Sequence, residues 1–410
     1  MSGKLDIHGY ERKISQVEKY LEKIPKVNRD LILSFKSYLF TKNLSVPRIL
    51  KYINHLKVMS DTIGSCDLIN NKDLDKLTKQ DLQHLVGIIQ QRPYSPYTRH
   101  SFKIAIKKFI CWVKNCEEGE LPPEIKWIKT SINKSELKLP GEGDLITKEE
   151  IEIVLSNCSN LRDKTFISML YESGCRIGEV ASLKLGNIAF DKYGVQLHVF
   201  GKTGARRIRL VKSTFLLKTF MEVHPTKNDK NSCLWISSKD ESHKPMRYAA
   251  FTRIVRRGFM NAGIQKRCNP HMFRHSRATE MASFLTEFQM NQYFGWTQGS
   301  DMPSTYVHMN GKEVDSAILA MNGIQEEGIK KIENKPLLCS RCEFVNPVDT
   351  KFCLRCSLPL DTKSALALDQ REVQQKKIDI IMNELIKEPE IQKMLLGKIR
   401  ELGLSQEILQ

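Results

Sequence analysis

The sequence lacks any apolar run approaching the ~20 residues that a membrane-spanning helix needs. Its opening residues, Met1-Ser-Gly-Lys-Leu-Asp-Ile-His8, lack the apolar core of a secretory signal. Internal repeats and low-complexity tracts are missing too. Eleven cysteines, an odd number scattered over 410 residues, do not make a disulfide scaffold and fit a reducing compartment. These absences set aside a membrane protein, a secreted disulfide-rich domain and a disordered tail protein, and lead us to expect a cytoplasmic protein. Acidic residues are also scarce: 47 Asp and Glu stand against 64 Lys and Arg, a net charge of +17 at pH 7. A balance that basic calls for a polyanionic partner, with nucleic acid first and an anionic membrane surface a weak second.

The excess charge is localised. Residues 201–300 hold 18 bases and 6 acids, whereas residues 301–410 hold 15 and 17. A single Lys is usually part of a solvated face. An imbalance of twelve in one segment costs stability through self-repulsion unless an anion neutralises it, so we place an anion-binding surface there.

Period-3.6 patterning runs from Gly9 to Cys116, including Ile49, Leu50, Ile53 and Leu56, then Leu82, Leu85, Val86 and Ile89. A last helical stretch, Tyr97 to Val113, carries Arg99, Lys103, Lys107 and Lys108 as candidate nucleic-acid contacts. Residues 1–116 therefore read as a helical bundle, and the Pro-, Gly- and charge-rich stretch 117–144 as a linker. A second domain spans 145–330 and opens on Thr147-Lys-Glu-Glu150, a capping-box signature. Within it the period changes to two between Gly194 and Val211, which predicts a β-hairpin turning at Gly201-Lys-Thr-Gly204. A cysteine segment at 337–360 and an amphipathic helical tail at 362–410 complete the chain. The tail's apolar stripe (Ile378, Ile381, Leu385) needs a cover, from another subunit or from its own chain. The fold class expected is mainly α with a small β-hairpin or sheet.

Cys339-Ser-Arg-Cys342 and Cys353-Leu-Arg-Cys356 give C-x2-C-x10-C-x2-C. Two tight cysteine turns can face each other across one metal and close a tetrahedral structural zinc site, a zinc ribbon with no open position for chemistry. Few large apolar side chains lie there, so metal binding must stabilise the segment.

Three short segments of the second domain carry chemistry. Ser173-Gly-Cys-Arg-Ile-Gly-Glu179 sets Arg176 at a helix start beside Glu179. Asn269-Pro-His-Met-Phe-Arg-His275 opens a helix with His271 and Arg274 on one face. Phe294-Gly-Trp296 is followed by Tyr306 on a short helix after Pro303. Singly these signals are weak. In this order, together with Lys202, they resemble the boxes of the tyrosine recombinase (phage integrase) family: T-G-x-R-I-x-E, H-x-L-R-H, and L-G-H/W with a Tyr nine or ten residues on. The motifs cover about 145–325. Residues 10–116 resemble the family's core-binding domain only in being helical, and Trp296 stands where His is commoner. The appended cysteine segment resembles archaeal integrase-like proteins.

The resemblance implies a helical core-binding domain and an α+β catalytic domain closing as a C-shaped clamp around duplex DNA. It implies a site-specific recombinase that cleaves and rejoins specific DNA sites as a tetramer, without ATP or a catalytic metal. The residue types suit that chemistry. Arg176 and Arg274 can clamp the non-bridging oxygens of a phosphodiester with forks of N–H donors. Tyr306 would form the covalent phosphotyrosine, His271 take its proton, Lys202 protonate the leaving 5′ oxygen, and Trp296 donate its indole N–H. Glu179 and His275 are expected as supports. Arg206, Arg207 and Arg209 on the return strand are candidate phosphate contacts, and Tyr293 is a rival nucleophile with the neighbours of a core residue. A topoisomerase IB-like swivelling enzyme and a non-catalytic DNA-binding regulator on the same fold are the alternatives.

Overall fold

A computed structural model describes residues 6–67, 69, 72–117, 119–132, 141–237, 243–266, 268–309, 337–347 and 350–401. The chain divides into two compact units, one of residues 1–145 with 246–250, the other of 146–245 with 251–410. Among the described residues no helix is long and apolar enough to cross a membrane.

The first unit packs five helices: α1 (Tyr10–Leu21), α2 (Lys26–Thr41), α3 (Val46–Gly64), α4 (Lys79–Gln91) and α5 (Pro96–Val113). Sequence chemistry fixes their starts. Pro47 and Pro96 occupy first-turn positions where a missing N–H costs nothing, and Thr78 forms a capping box with Asp81. The core is built from Phe35, Ile53, Leu56, Leu85, Phe109 and their neighbours. Ile125 and Ile128, within the stretch expected to be a linker, are also buried in it. The Pro-Gly signal there marked a non-helical chain, but Ile125 and Ile128, with Trp127 packed beside them and Glu124 paired to Lys114, bind it to the bundle.

The second unit begins with α6 (Lys148–Ser156) behind the Thr147–Glu150 capping box and α7 (Leu161–Ser173), buried over most of its length from Thr165 on. Gly174 ends α7 in the left-handed region, and α8 (Ile177–Ala181) follows. A three-stranded antiparallel sheet has the order β1 (Ile188–Asp191), β2 (Gly194–Gly201), β3 (Gly204–Leu210). Gly201 pairs with Gly204, so Lys202 and Thr203 form a two-residue hairpin turn. Strand β1 was not foreseen. Glu172 on α7 accepts N–H bonds from Val211, Lys212 and Ser213 at 2.6–2.8 Å, which fixes the exit of β3 against α7.

Then come α9 (Thr214–Glu222), α10 (Tyr248–Asn261), α11 (Pro270–Ala282), α12 (Glu287–Phe294) and α13 (Met302–Met309). Trp235, buried between Phe166 and Phe220, donates its indole N–H to Val180 O at 2.7 Å and so anchors α8. After residues 310–336, which lie outside the described ones, β4 (Leu337–Leu338) pairs with β5 (Val345–Asn346) in the cysteine segment. The tail forms α14 (Thr362–Leu385) and α15 (Pro389–Glu401), with Ile378, Ile381 and Leu385 exposed.

Candidate active site

Arg176 is the N-cap of α8. Glu179, three residues on, accepts from the Arg176 backbone N–H (2.9 Å) and from its guanidinium (3.2 Å), so the helix start itself aims the side chain. Glu179 is 4% exposed. Burial alone would raise its carboxyl, but the Arg206 hydrogen bonds and charge, with Arg176, hold it below the usual carboxylate range.

α11 starts as the Asn269-Pro270 signature requires, the Asn269 side chain accepting from the N–H groups of His271 and Met272. Three residues on, Arg274 is buried and donates to Gly174 O (3.2 Å) and Phe294 O (2.5 Å). Its guanidinium lies over the Trp296 ring at 5.2 Å. Burial, then the nearby Arg176 charge, lower the Arg274 pKa to about 10, which leaves it cationic at neutral pH. His271 lies exposed on the first turn; desolvation and the charges of Arg274 and Arg176 hold its imidazole below the usual range, hence neutral.

Tyr306 on α13 is 1% exposed. Its ring stacks on Trp296 (centroids 5.5 Å apart, planes 7° apart), and its hydroxyl lies 2.8 Å from Nδ1 of His275. Burial raises the phenol's pKa, opposed by the Arg274 charge. The expected proton acceptor was His271; the phenol's partner in this structure is His275. On a helix His271 and His275 are one turn apart, and only the inner one reaches the buried ring. His275 is itself held neutral by burial, His271 and Arg274.

Lys202 is exposed on the β2–β3 turn, and its neighbour Thr203 donates to Gly295 O at 3.0 Å. Arg206 departs from its expected place among phosphate contacts. Its side chain is 8% exposed and donates to both Glu179 oxygens (2.9 and 2.7 Å) and to Tyr293 O (2.7 Å). The signal lay in the strand's period of two, because Arg206 shares parity with buried Ile208 and Leu210, while Arg207 and Arg209 face the other way. Arg207 is exposed, and Arg209 pairs with Asp191 at 2.5 Å. Tyr293 is largely enclosed, and burial drives its phenol far up. In the first unit, Arg99, Lys103, Lys107 and Lys108 sit half-buried along α5, Arg99 donating to Tyr94 O.

α8, α11, the 295–296 turn and α13 thus gather two guanidiniums, two neutral imidazoles, an indole and a phenol, a set that can bind a phosphodiester and attack it. Residues 144–313 match the model of the phage integrase family. This segment is a phage integrase family domain. The curated relatives of the chain include a tyrosine recombinase of Pseudothermotoga lettingae, 24% identical over 73% of this chain and 99% of the relative. The tyrosine recombinase XerA of Pyrococcus horikoshii is 26% identical over 62% and 80%. The fold is that of the XerH site-specific recombinase bound to a palindromic difH substrate (TM-score 0.53, 18% identity, 78% of this chain and 98% of that one). It is also that of the Tn1549 transposon integrase in complex with transposon right-end DNA (0.51, 15%, 72% and 99%).

Beyond the integrase domain, the sulfurs of Cys339, Cys342, Cys353 and Cys356 all lie within 4.8 Å of one another, so the four can hold one metal ion. The fit is close: Cys339–Cys356 and Cys342–Cys353 are each 3.5 Å apart, near the ~3.8 Å edge of a tetrahedron with ~2.3 Å metal–sulfur bonds. Buried Asn346 ties the two turns together, donating to Phe344 O and accepting from Leu354 N–H at 2.8 Å. Asn346 was invisible in the spacing argument, which sees only ligands.

Proposed function

We propose that the chain is a site-specific DNA recombinase that cleaves and rejoins strands through a covalent 3′-phosphotyrosine on Tyr306. The observation that supports it best is the stack Arg274–Trp296–Tyr306 beside Arg176 and His271, within a domain of the integrase family. Arg176 and Arg274 clamp the non-bridging oxygens, whose charge grows in the transition state. The Tyr306 oxygen attacks phosphorus and loses its proton to a neutral histidine; the bond to the 5′ oxygen breaks, and Lys202 protonates that oxygen. Attack by another strand's 5′ hydroxyl reverses the step, so the phosphotyrosine conserves the bond energy and no ATP is needed. A phenol this buried must leave His275 to reach a duplex, so engagement of DNA is coupled to displacement of α13.

Zinc is the ion we assign to the four cysteines, as one closed structural site. The helical unit at 1–116 serves as core-binding domain, Arg99, Lys103, Lys107 and Lys108 contacting phosphates, with Arg207 on the sheet. Arg209 joins them once it exchanges Asp191 for a phosphate. The partner is double-stranded DNA carrying specific sites in the cytoplasm, and the assembly a tetramer; a lambda integrase tetramer bound to a Holliday junction shares the fold (TM-score 0.51).

The test uses a pool of nicked duplexes with a randomised window. Adducts that survive boiling in detergent with EDTA are recovered and sequenced, and the enriched duplex becomes the substrate. Enrichment of one sequence supports a site-specific recombinase. Adducts of unselected sequence point to a swivelling topoisomerase, and binding without adduct to a regulator.

A further inference from the structure

Three consecutive carbonyls end α12, and each accepts from a different part of the candidate site. Tyr293 O takes Arg206, Phe294 O takes Arg274, and Gly295 O takes Thr203 of the Lys202 turn. A helix C-terminus carries unpaired carbonyls and the negative end of the dipole, so cationic donors collect there. Arg206 does more than cap. Its remaining two nitrogens hold both oxygens of Glu179, the carboxylate that also binds the backbone and guanidinium of Arg176. One buried guanidinium thus links the strand that carries Lys202, the turn that carries Trp296, and the acid that aims Arg176. The space around it is closed: a Cβ on Gly201 would lie 2.4 Å from Glu179 Oε1, and one on Gly295 would lie 3.0 Å from both Arg206 Nη1 and Thr203 Oγ1.

We propose that Arg206 is a positioning residue for strand cleavage, registering Arg176, the Lys202 turn and the Trp296 turn to one another through Glu179 and the Tyr293 carbonyl. This rests on the reading above that Arg176 and Lys202 act on the scissile phosphate. Arg206, its side chain 8% exposed and its nitrogens bonded to Glu179 and Tyr293 O, acts through those groups and not on the reacting atoms. Three donors in a plane are what the place requires: a lysine would bring the charge and could not span two carboxylate oxygens and a carbonyl at once.

The experiment uses the full chain and the duplex enriched from the randomised pool, measuring single-turnover adduct formation at saturating DNA, the Kd and the melting temperature. Arg206→Lys is expected to slow cleavage ~10- to 100-fold, the scale of a small misplacement of reacting groups, with Kd within about twofold of wild type. Guanidinium added to Arg206→Ala is expected to restore part of the rate. Since Arg206→Ala strands a buried carboxylate and can unfold, Arg206→Met combined with Glu179→Gln is the second variant, expected to fold and to cleave slowly. Wild-type cleavage by Arg206→Lys, or a rate loss that only follows losses in melting temperature and Kd, overturns the inference while leaving the function standing. Absence of any adduct from the wild-type chain overturns both.

Discussion

The Tyr306 hydroxyl lies 2.8 Å from His275 Nδ1, one helical turn inside His271. The proposed nucleophile is thereby stored against a neutral imidazole, with its ring stacked on Trp296 and almost no solvent contact. Storage of this kind keeps a phenol un-ionised, because burial disfavours the phenolate.

Tyr306→Phe keeps the stack and removes only the hydroxyl. It should abolish the covalent adduct while changing stability by only ~0.5–1.5 kcal/mol, the usual net value of one hydrogen bond. Tyr293→Phe should retain the adduct. An adduct that persists in Tyr306→Phe and disappears in Tyr293→Phe would transfer the nucleophile to Tyr293.

The histidines set a pH response. Burial, with the nearby Arg274 charge, holds the imidazoles of His271 and His275 below the ordinary histidine value of about 6.5 in the folded chain. The unfolded chain therefore binds more protons, and their contribution is complete above about 6.5 and is lost as pH falls through it. Urea midpoints should fall between pH 7.5 and 5.5, and His275→Asn should flatten that slope. A midpoint that rises on acidification, or a slope unchanged in His275→Asn, contradicts this.

Arg274→Lys should be far from conservative. A lysine cannot reach Gly174 O and Phe294 O together, nor stack its charge as a plane on Trp296. Loss of one such preorganised donor typically costs ~3–4 kcal/mol of barrier, about 10²–10³ in rate. Single-turnover cleavage with the enriched duplex measures it; a loss under tenfold would show that the fork is not required.

Gly201→Ala sets a methyl into the Glu179 carboxylate and against Arg206. Overpacking of this kind costs ~1–3 kcal/mol, read as a lowered melting temperature. A Gly204→Ala control separates the clash from backbone strain, since Gly204 has open space but a φ of +109°. Equal stability of Gly201→Ala and wild type would mean that Glu179 and Arg206 are less tightly held than the structure shows.

Purified protein should carry one zinc per chain, and Cys339→Ser with Cys353→Ser should remove it. Among the described residues, the core of the 337–360 segment without the metal is Phe344 and the sulfurs of Cys339 and Cys353, with Leu354, Leu358 and Leu360 packed against them. Its amide protection should then collapse, since apparent zinc energies for such segments are ~10–16 kcal/mol. Unchanged protection after metal loss would make the apolar core sufficient by itself.

Much of this was legible in the chain because it is written locally. Helix starts are set by neighbours within four residues, as at Thr147–Glu150 and Asn269–Pro270, and a hairpin turn by Gly201 and Gly204. The cysteine quartet and the three boxes are spacings, and spacings survive without a fold. The linker reading overlooked Ile125 and Ile128, whose burial depends on a bundle that composition does not display.

The sequence by itself determined which chemical groups are present, in what order, and on which kind of element: two arginines at helix starts, a phenol after Pro303, four thiols in two turns. Only the tertiary structure decided which of two histidines one turn apart meets Tyr306, and that Arg206 turns inward to Glu179 and the end of α12 while Arg207 faces solvent. Those choices join residues 27 to 87 positions apart. They are settled by which donors and acceptors a packed interior leaves unpaired, and no local pattern along the chain records that.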